Sequence, residues 1–164
     1  MKIGLLSDTH ACWEDKFDYY FAECDEIWHA GDMGSELVAD RMEAIKPVRA
    51  VYGNCDGYPL RLRYPRFNVF EVEGVKVLLT HIGGYPGRYA PEIIKELNEY
   101  RPKLFICGHS HILKVKYDSS RQMLHINPGA AGLQGFQVVR TLVRFEINSG
   151  KIENLDVIEL SKHH

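Results

Sequence analysis

MKIGLLSDTH, residues 1–10, is the stretch from which the fold can be read. Apolar Ile3, Leu5 and Leu6 run up to Ser7, and Asp8 and His10 follow, one residue apart. A short apolar run that breaks into polar residues reads as a buried strand ending at a surface. Residues i and i+2 of an extended chain point the same way, so Asp8 and His10 converge at the strand's carboxyl end. Open α/β sheets place their ligands at that end. A lone Asp-x-His reads equally well as an exposed loop, so its meaning depends on how the other strands finish.

Working outward, Glu14–Cys24 carries Phe17, Tyr20 and Phe21 at helical spacing, an amphipathic helix with aromatics toward the core. Residues 26–30 form a second strand ending in Gly31-Asp32. A helix over Ser35–Ile45 follows, with Ser35 as N-cap and Leu37, Val38, Met42 and Ile45 on its buried face. Val48–Tyr52 is a third strand, ending in Gly53-Asn54-Cys55-Asp56. This alternation implies parallel strands with right-handed crossovers. Pro59 and Pro65 predict an irregular Tyr58–Arg66. Phe67–Val72 and Val75–Thr80 read as a hairpin around Glu73-Gly74, ending in His81. A glycine-rich loop, 82–88, leads to a helix over Pro91–Tyr100 with Ile93, Ile94 and Leu97 buried. The strand Lys103–Cys107 runs into Gly108-His109-Ser110-His111. Beyond it the pattern is all-β: 113–117 with 123–126, then 138–147 with 151–160, the last hairpin having one solvated face. Two mixed sheets packed face to face, with helices outside, is the predicted α/β architecture of a single domain over residues 1–164.

Composition narrows the function classes. The hydrophobic fraction is 45 % and the charged fraction 26 %, as expected of a globular domain. A net charge of -2 gives no broad grip on nucleic acid, and no apolar stretch is long enough to span a bilayer. The chain enters a strand at once, which argues against a secretory leader. Cys12, Cys24, Cys55 and Cys107 form no Cys-x-x-Cys pair, so a reducing cytoplasm is expected rather than a disulfide framework. His163 and His164 read as a tag remnant.

Five strands or hairpin arms thus end in polar clusters. The donors they offer are Asp8, His10, Asp32, Asn54, His81, His109 and His111. Imidazole, carboxylate and carboxamide without an obvious thiolate suit manganese, iron, nickel, cobalt or zinc. Seven residues exceed what one ion needs and suit two ions sharing a carboxylate.

The ordered set Asp8-Thr9-His10, Gly31-Asp32, Gly53-Asn54-Cys55-Asp56, His81 and Gly108-His109-Ser110-His111 resembles the calcineurin-like metallophosphoesterase superfamily. The short chain, Cys55 and the Asn127-Pro128-Gly129 turn resemble its small YfcE-like phosphodiesterase branch. The resemblance runs from Met1 to about Gly129. It implies a four-layer αββα sandwich. It also implies one ion, manganese first among the candidates, on Asp8, His10, Asp32 and His111, and a second on Asp32, Asn54, His81 and His109. Asp32 would bridge the ions, and a hydroxide between them would attack a phosphodiester. The substrate implied is a small phosphoester. A phosphomonoesterase and a non-catalytic scaffold are the alternatives on this fold. Many members carry a His where this chain has Cys55, which leaves the general acid unassigned. The Ile82-Gly83-Gly84 segment also departs from the Gly-His that relatives often show. Asp56 is expected to orient a ligand or its turn, and His29 either to do the same or to pack in the core. His125 and Asn127 are left outside the site. Arg61, Arg63 and Arg88 read as solvated charge, and the final hairpin as an edge open to pairing with a second copy.

Overall fold

A computed structural model describes residues 1–162; His163 and His164 lie outside the described residues. The elements run β1 (Lys2–Leu6), α1 (Asp15–Phe21), β2 (Glu26–His29), α2 (Glu36–Ile45), β3 (Val48–Ala50), α3 (Tyr58–Arg63), β4 (Phe67–Val72) and β5 (Val75–Thr80). They continue with β6 (Gly84–Tyr85), β7 (Arg88–Tyr89), α4 (Pro91–Tyr100), β8 (Leu104–Ile106), β9 (Leu113–Asp118), β10 (Met123–Pro128), β11 (Val139–Asn148) and β12 (Lys151–Ser161). One sheet has the order β12-β11-β1-β2-β3 and the other β4-β5-β8-β10-β9, each mixed. The expected parallel pairing of β1, β2 and β3 is present, as is the β4–β5 hairpin.

Three apolar layers give the αββα order. Between the sheets lie Ile3, Leu5 and Trp28 from one side and Val77, Leu79 and Ile106 from the other. Phe17, Phe21, Val38, Met42 and Leu60 cover the outer face of the first sheet, and Ile93 and Leu97 that of the second. The parallel strands β1 and β2 have their carboxyl ends at one rim, and so do β5 and β8. At the opposite rim the Met1 ammonium joins the sheets. It lies 2.8 Å from Glu73 on the β4–β5 turn and donates to the Ile147 carbonyl at 2.8 Å. Among the described residues no helix is long and apolar enough to cross a membrane.

Four sequence readings need correction. Residues 58–63 are helical, because Pro59 sits in the first turn, where its missing N–H costs no helical bond. The glycine-rich loop contains the small β6–β7 hairpin. Leu37, Ile45 and Ile94 are exposed; Val38, Ala39 and Met42 carry the buried face of α2, with Ser35 capping as expected. On β11 the predicted polar face is broken by Arg140, which is fully buried. Its guanidinium lies 2.8 Å from Glu14 and donates to the Ala131 and Ser161 carbonyls.

Candidate metal centre

Every strand end that the sequence singled out arrives at one rim. Asp8 and His10 follow β1 and Asp32 follows β2. Cys55 and Asp56 follow β3, His81 follows β5, and His109 and His111 follow β8. The backbone turns sharply to present them. Asp8, His10, Asp32, His109 and His111 all have positive φ, between 45° and 73°. That region is sparsely used by residues other than glycine, and such strain collects at functional sites. Two glycines allow the close approach. A Cβ on Gly53 would lie 2.1 Å from Asp32 Oδ1, and one on Gly108 would lie 2.1 Å from Ser7 Oγ.

Three donor groups form, each with its atoms within 4.8 Å of one another: Asp8, His10 and His111; His10, Asp32 and Cys55; Asp32, His81 and His109. The structure therefore assembles six of the seven predicted donors and links the groups through His10 and Asp32. Asn54 is exposed beside them, with Nδ2 3.7 Å from Cys55 Sγ. The Cys55 thiol, outside the seven donors the sequence predicts, lies in the second group. Burial and the adjacent Asp32 push its pKa up, so at neutral pH it is a thiol in the absence of an ion.

The hydrogen bonds show which atoms face the centre. Asp8 Oδ2 accepts from Ser7 Oγ at 2.6 Å and from His109 N at 3.1 Å, while Oδ1 is buried and makes no hydrogen bond. Asp32 Oδ1 accepts from Cys55 N at 2.8 Å. His81 Nδ1 lies 2.7 Å from the Ala30 carbonyl and must donate to it, so Nε2 carries the lone pair of the neutral ring. That lone pair faces Asp32 Oδ2 at 3.1 Å. His111 repeats the arrangement: Nδ1 lies 3.1 Å from Gln137 Oε1, and Nε2 lies 3.3 Å from Asp8 Oδ1. Gln137 Nε2 donates to the Gly132 and Gln134 carbonyls, which leaves Oε1 as the acceptor.

Lone pairs set against carboxylate oxygens need a cation between them, either a proton or a metal ion. The titration shifts say the same. Burial opposes ionisation of Asp8 and Asp32, but the histidines outweigh it. Both carboxyls titrate below their usual range, Asp32 at about 2. His81 is raised by Asp32 and Asp8 against the effect of burial, and His111 by its contact with Asp8. The donor set fits divalent cations, and the Nδ1 anchors of His81 and His111 are the supports such ligands require.

A second ring of residues holds the first. Asp56 accepts from the main-chain N–H groups of Asp32, Met33, Gly34 and Gly53 at 2.8–3.3 Å, tying the ends of β2 and β3 together. His29 is fully buried beneath the site. Its Nδ1 accepts from Gly31 N, so Nε2 donates to Thr9 Oγ1, which donates to the Met33 carbonyl. Burial lowers its pKa to about 4 and keeps it neutral. Sequence reasoning missed Gln137, which lies in a loop with no strand to announce it. Arg61 stacks on Tyr52, 4.7 Å from the ring centre, and donates to the Asp56 carbonyl at 2.7 Å. With Arg66, Asn54 and His81 it lines a cleft of about 290 Å³ beside the centre. Arg63 points away and pairs with Asp40 and Glu43.

Residues 1–150 match the family model of the calcineurin-like phosphoesterase superfamily domain. A probable metallophosphoesterase of Methanothermobacter thermautotrophicus is 32 % identical over 136 residues, covering 79 % of this chain and 77 % of that protein. Among solved structures, zinc-complexed wild-type Vps29 from Entamoeba histolytica superposes with a TM-score of 0.75 at 17 % identity, covering 99 % of this chain and 100 % of the other. A predicted phosphoesterase from Streptococcus pneumoniae gives 0.69 at 22 % identity, covering 99 % and 90 %. The structural likenesses establish the fold, and the matched model with the archaeal relative establishes the lineage: the chain belongs to the calcineurin-like phosphoesterase superfamily.

Proposed function

We propose that this chain is a phosphodiesterase working with two divalent ions. Manganese is the first candidate, and nickel, iron, cobalt and zinc suit the same donors. The observation that carries the reading is the buried, unshared Asp8 Oδ1 facing the Nε2 atoms of His10, His81 and His111 at 3.3–3.8 Å. Asp8, His10, Asp32 and His111 would hold one ion, and Asp32, His81 and His109, with Asn54 at the rim, the other. When bound, such ions supply a hydroxide near neutral pH and offset the charge that develops on phosphorus.

The residues themselves do the rest. Arg61 and Arg66 give the adjoining cleft positive charge for an anionic ester. Asp56 and His29 keep the ligands in register. In the reaction an oxygen from water bonds phosphorus, the bond to one ester oxygen breaks, and the departing alcohol takes up a proton. No imidazole stands where Cys55 stands, so esters whose leaving group needs no proton should react fastest. We treat residues 1–164 as one such domain, since β12 beyond the matched region pairs along β11. Four free cysteines support a reducing, cytoplasmic setting.

The test is turnover by metal-depleted protein reloaded with manganese. The panel is bis(4-nitrophenyl) phosphate, methyl 4-nitrophenyl phosphate, 4-nitrophenyl phosphate, an unactivated dialkyl phosphate and the 2′,3′- and 3′,5′-cyclic nucleotides. Aryl diesters should lead, and Asp32→Asn and His109→Ala should each lose at least about 100-fold. Faster monoester hydrolysis would make the chain a monoesterase. No hydrolysis by loaded wild type would favour a scaffold role. Equal rates for aryl and dialkyl esters, with chemistry limiting, would refute the role given to Cys55.

A further inference from the structure

Of the side chains in the three donor groups, Cys55 alone holds neither of the two proposed ions. Its group is not remote from theirs. It takes His10 from the first and Asp32 from the third, with the ligand atoms of all three side chains within 4.8 Å of one another. The main chain fixes the loop against this spot, since Cys55 N donates to Asp32 Oδ1 at 2.8 Å. Cys55 is exposed, so an ion arriving from solvent meets the sulfur directly.

The thiol does not stand alone. Beneath it the His10 side chain is only 10 % exposed, and its Nε2 makes no hydrogen bond. Nε2 lies 3.8 Å from Asp32 Oδ2, too far for a hydrogen bond and close enough for both atoms to share one ion. A buried polar atom without a partner costs free energy that an ion can recover. On the open side, Asn54 Nδ2 lies 3.7 Å from Cys55 Sγ and donates to it. Outer hydrogen bonds of this kind steady a ligating atom.

We infer that Cys55, His10 and Asp32 form a third, soft-ion position, and that zinc seated there inhibits the manganese-loaded centre. The inference rests on the two-ion phosphodiesterase reading. An imidazole, a carboxylate and a thiolate, with one water, make the four-coordinate shell that zinc adopts. Thiolate is a soft ligand that selects zinc, whereas manganese favours oxygen donors and gains little from sulfur. The sulfur binds as thiolate, and its proton passes to solvent. Asp32 and Cys55 then cancel both charges of the ion, which leaves no positive charge there to draw an anionic ester. The ion also takes a donor from each proposed position, so it displaces the productive pair instead of joining it.

The experiment titrates metal-depleted wild type and Cys55→Ser with cobalt(II), a spectroscopic substitute for zinc. Wild type should develop the near-ultraviolet sulfur-to-cobalt charge-transfer band, and the variant should not. Zinc affinity, measured by competition with a chromophoric chelator, should fall by at least about tenfold in Cys55→Ser, and manganese affinity by less than about threefold. Zinc added in equimolar amount should suppress turnover of bis(4-nitrophenyl) phosphate by the manganese-loaded wild type. The exposed position keeps the variant folded, and circular dichroism checks this. No sulfur band in wild type, equal zinc affinities in the two proteins, or undiminished turnover with zinc bound would overturn the inference. The two readings fail separately. Turnover without a sulfur band removes only the third position. A sulfur band in a protein that hydrolyses nothing removes the phosphodiesterase reading and leaves Cys55 as a zinc ligand.

Discussion

At the scale of single residues, Asp56 is the buried side chain that ties the most main chain together. Its carboxylate gathers four main-chain N–H groups, that of Asp32 among them, and meets none of the candidate metal-donor atoms. Asp56→Asn puts an NH2 against some of those donors. It should weaken metal binding by about 10–100-fold with the metal-ligating side chains unchanged, as read by calorimetry. His125 carries part of the pH dependence. Its folded pKa is near 4 against 6.5 when free, so the unfolded chain takes up a proton that the fold refuses. Stability contributed above pH 6.5 is lost as pH falls toward 4, by about 2–3 kcal/mol. Denaturant titrations of His125→Phe should show a shallower decline across that window. His29 adds a loss of the same sign, which the variant keeps. Six of the candidate donor side chains were legible in the sequence because each follows an apolar run. Gln137 was not: it meets His111 Nδ1 from an irregular loop, which no pattern of neighbours reveals.

At the scale of elements, Glu14 shows how a helix start is tied to a distant strand. It occupies the N-cap position of α1 without capping it, and its carboxylate goes instead to Arg140 on β11. Glu14→Ala strands a buried guanidinium and should cost about 3 kcal/mol, lowering Tm by about 6–12 °C. Scanning calorimetry would show it, and a loss below about 1 °C would refute it. The strands and three of the helices were readable from periodicity. The fourth helix, α3, was not, because Pro59 reads as a breaker unless its place in the first turn is known. Arg140 misled for a related reason: alternation predicts the face a residue occupies but not a carboxylate arriving from another element. At the sheet edge, β12 is guarded by Lys151, Glu153, Asp156 and Glu159 along its length and by a kink at Asn154, where φ is 56°. Such features discourage edge pairing between copies.

At the scale of the whole molecule, the donor groups straddle the two sheets. Asp8, His10 and Asp32 come from the first, and His81, His109 and His111 from the second. Ion binding is therefore linked to global stability. At a hundred times its Kd an ion adds about 2.7 kcal/mol, so manganese should raise Tm by about 5–10 °C. Asp32→Asn should abolish most of that rise. An unchanged Tm on loading wild type would show that the centre binds no manganese.

The two rims of the sandwich are fastened differently, and this gives the molecule a polarity. At one, the Met1 ammonium clasps Glu73 and the Ile147 carbonyl directly. At the other, lone pairs stand against lone pairs until a cation separates them. The rim with the donor groups is also tied directly across the sheets, by His81 Nδ1 to the Ala30 carbonyl and by His109 N to Asp8, and a bound cation would add to those ties. Chelation should quicken amide exchange near Gly31 and Gly108 while leaving Gly150, held by the Glu73 carbonyl, as slow as before.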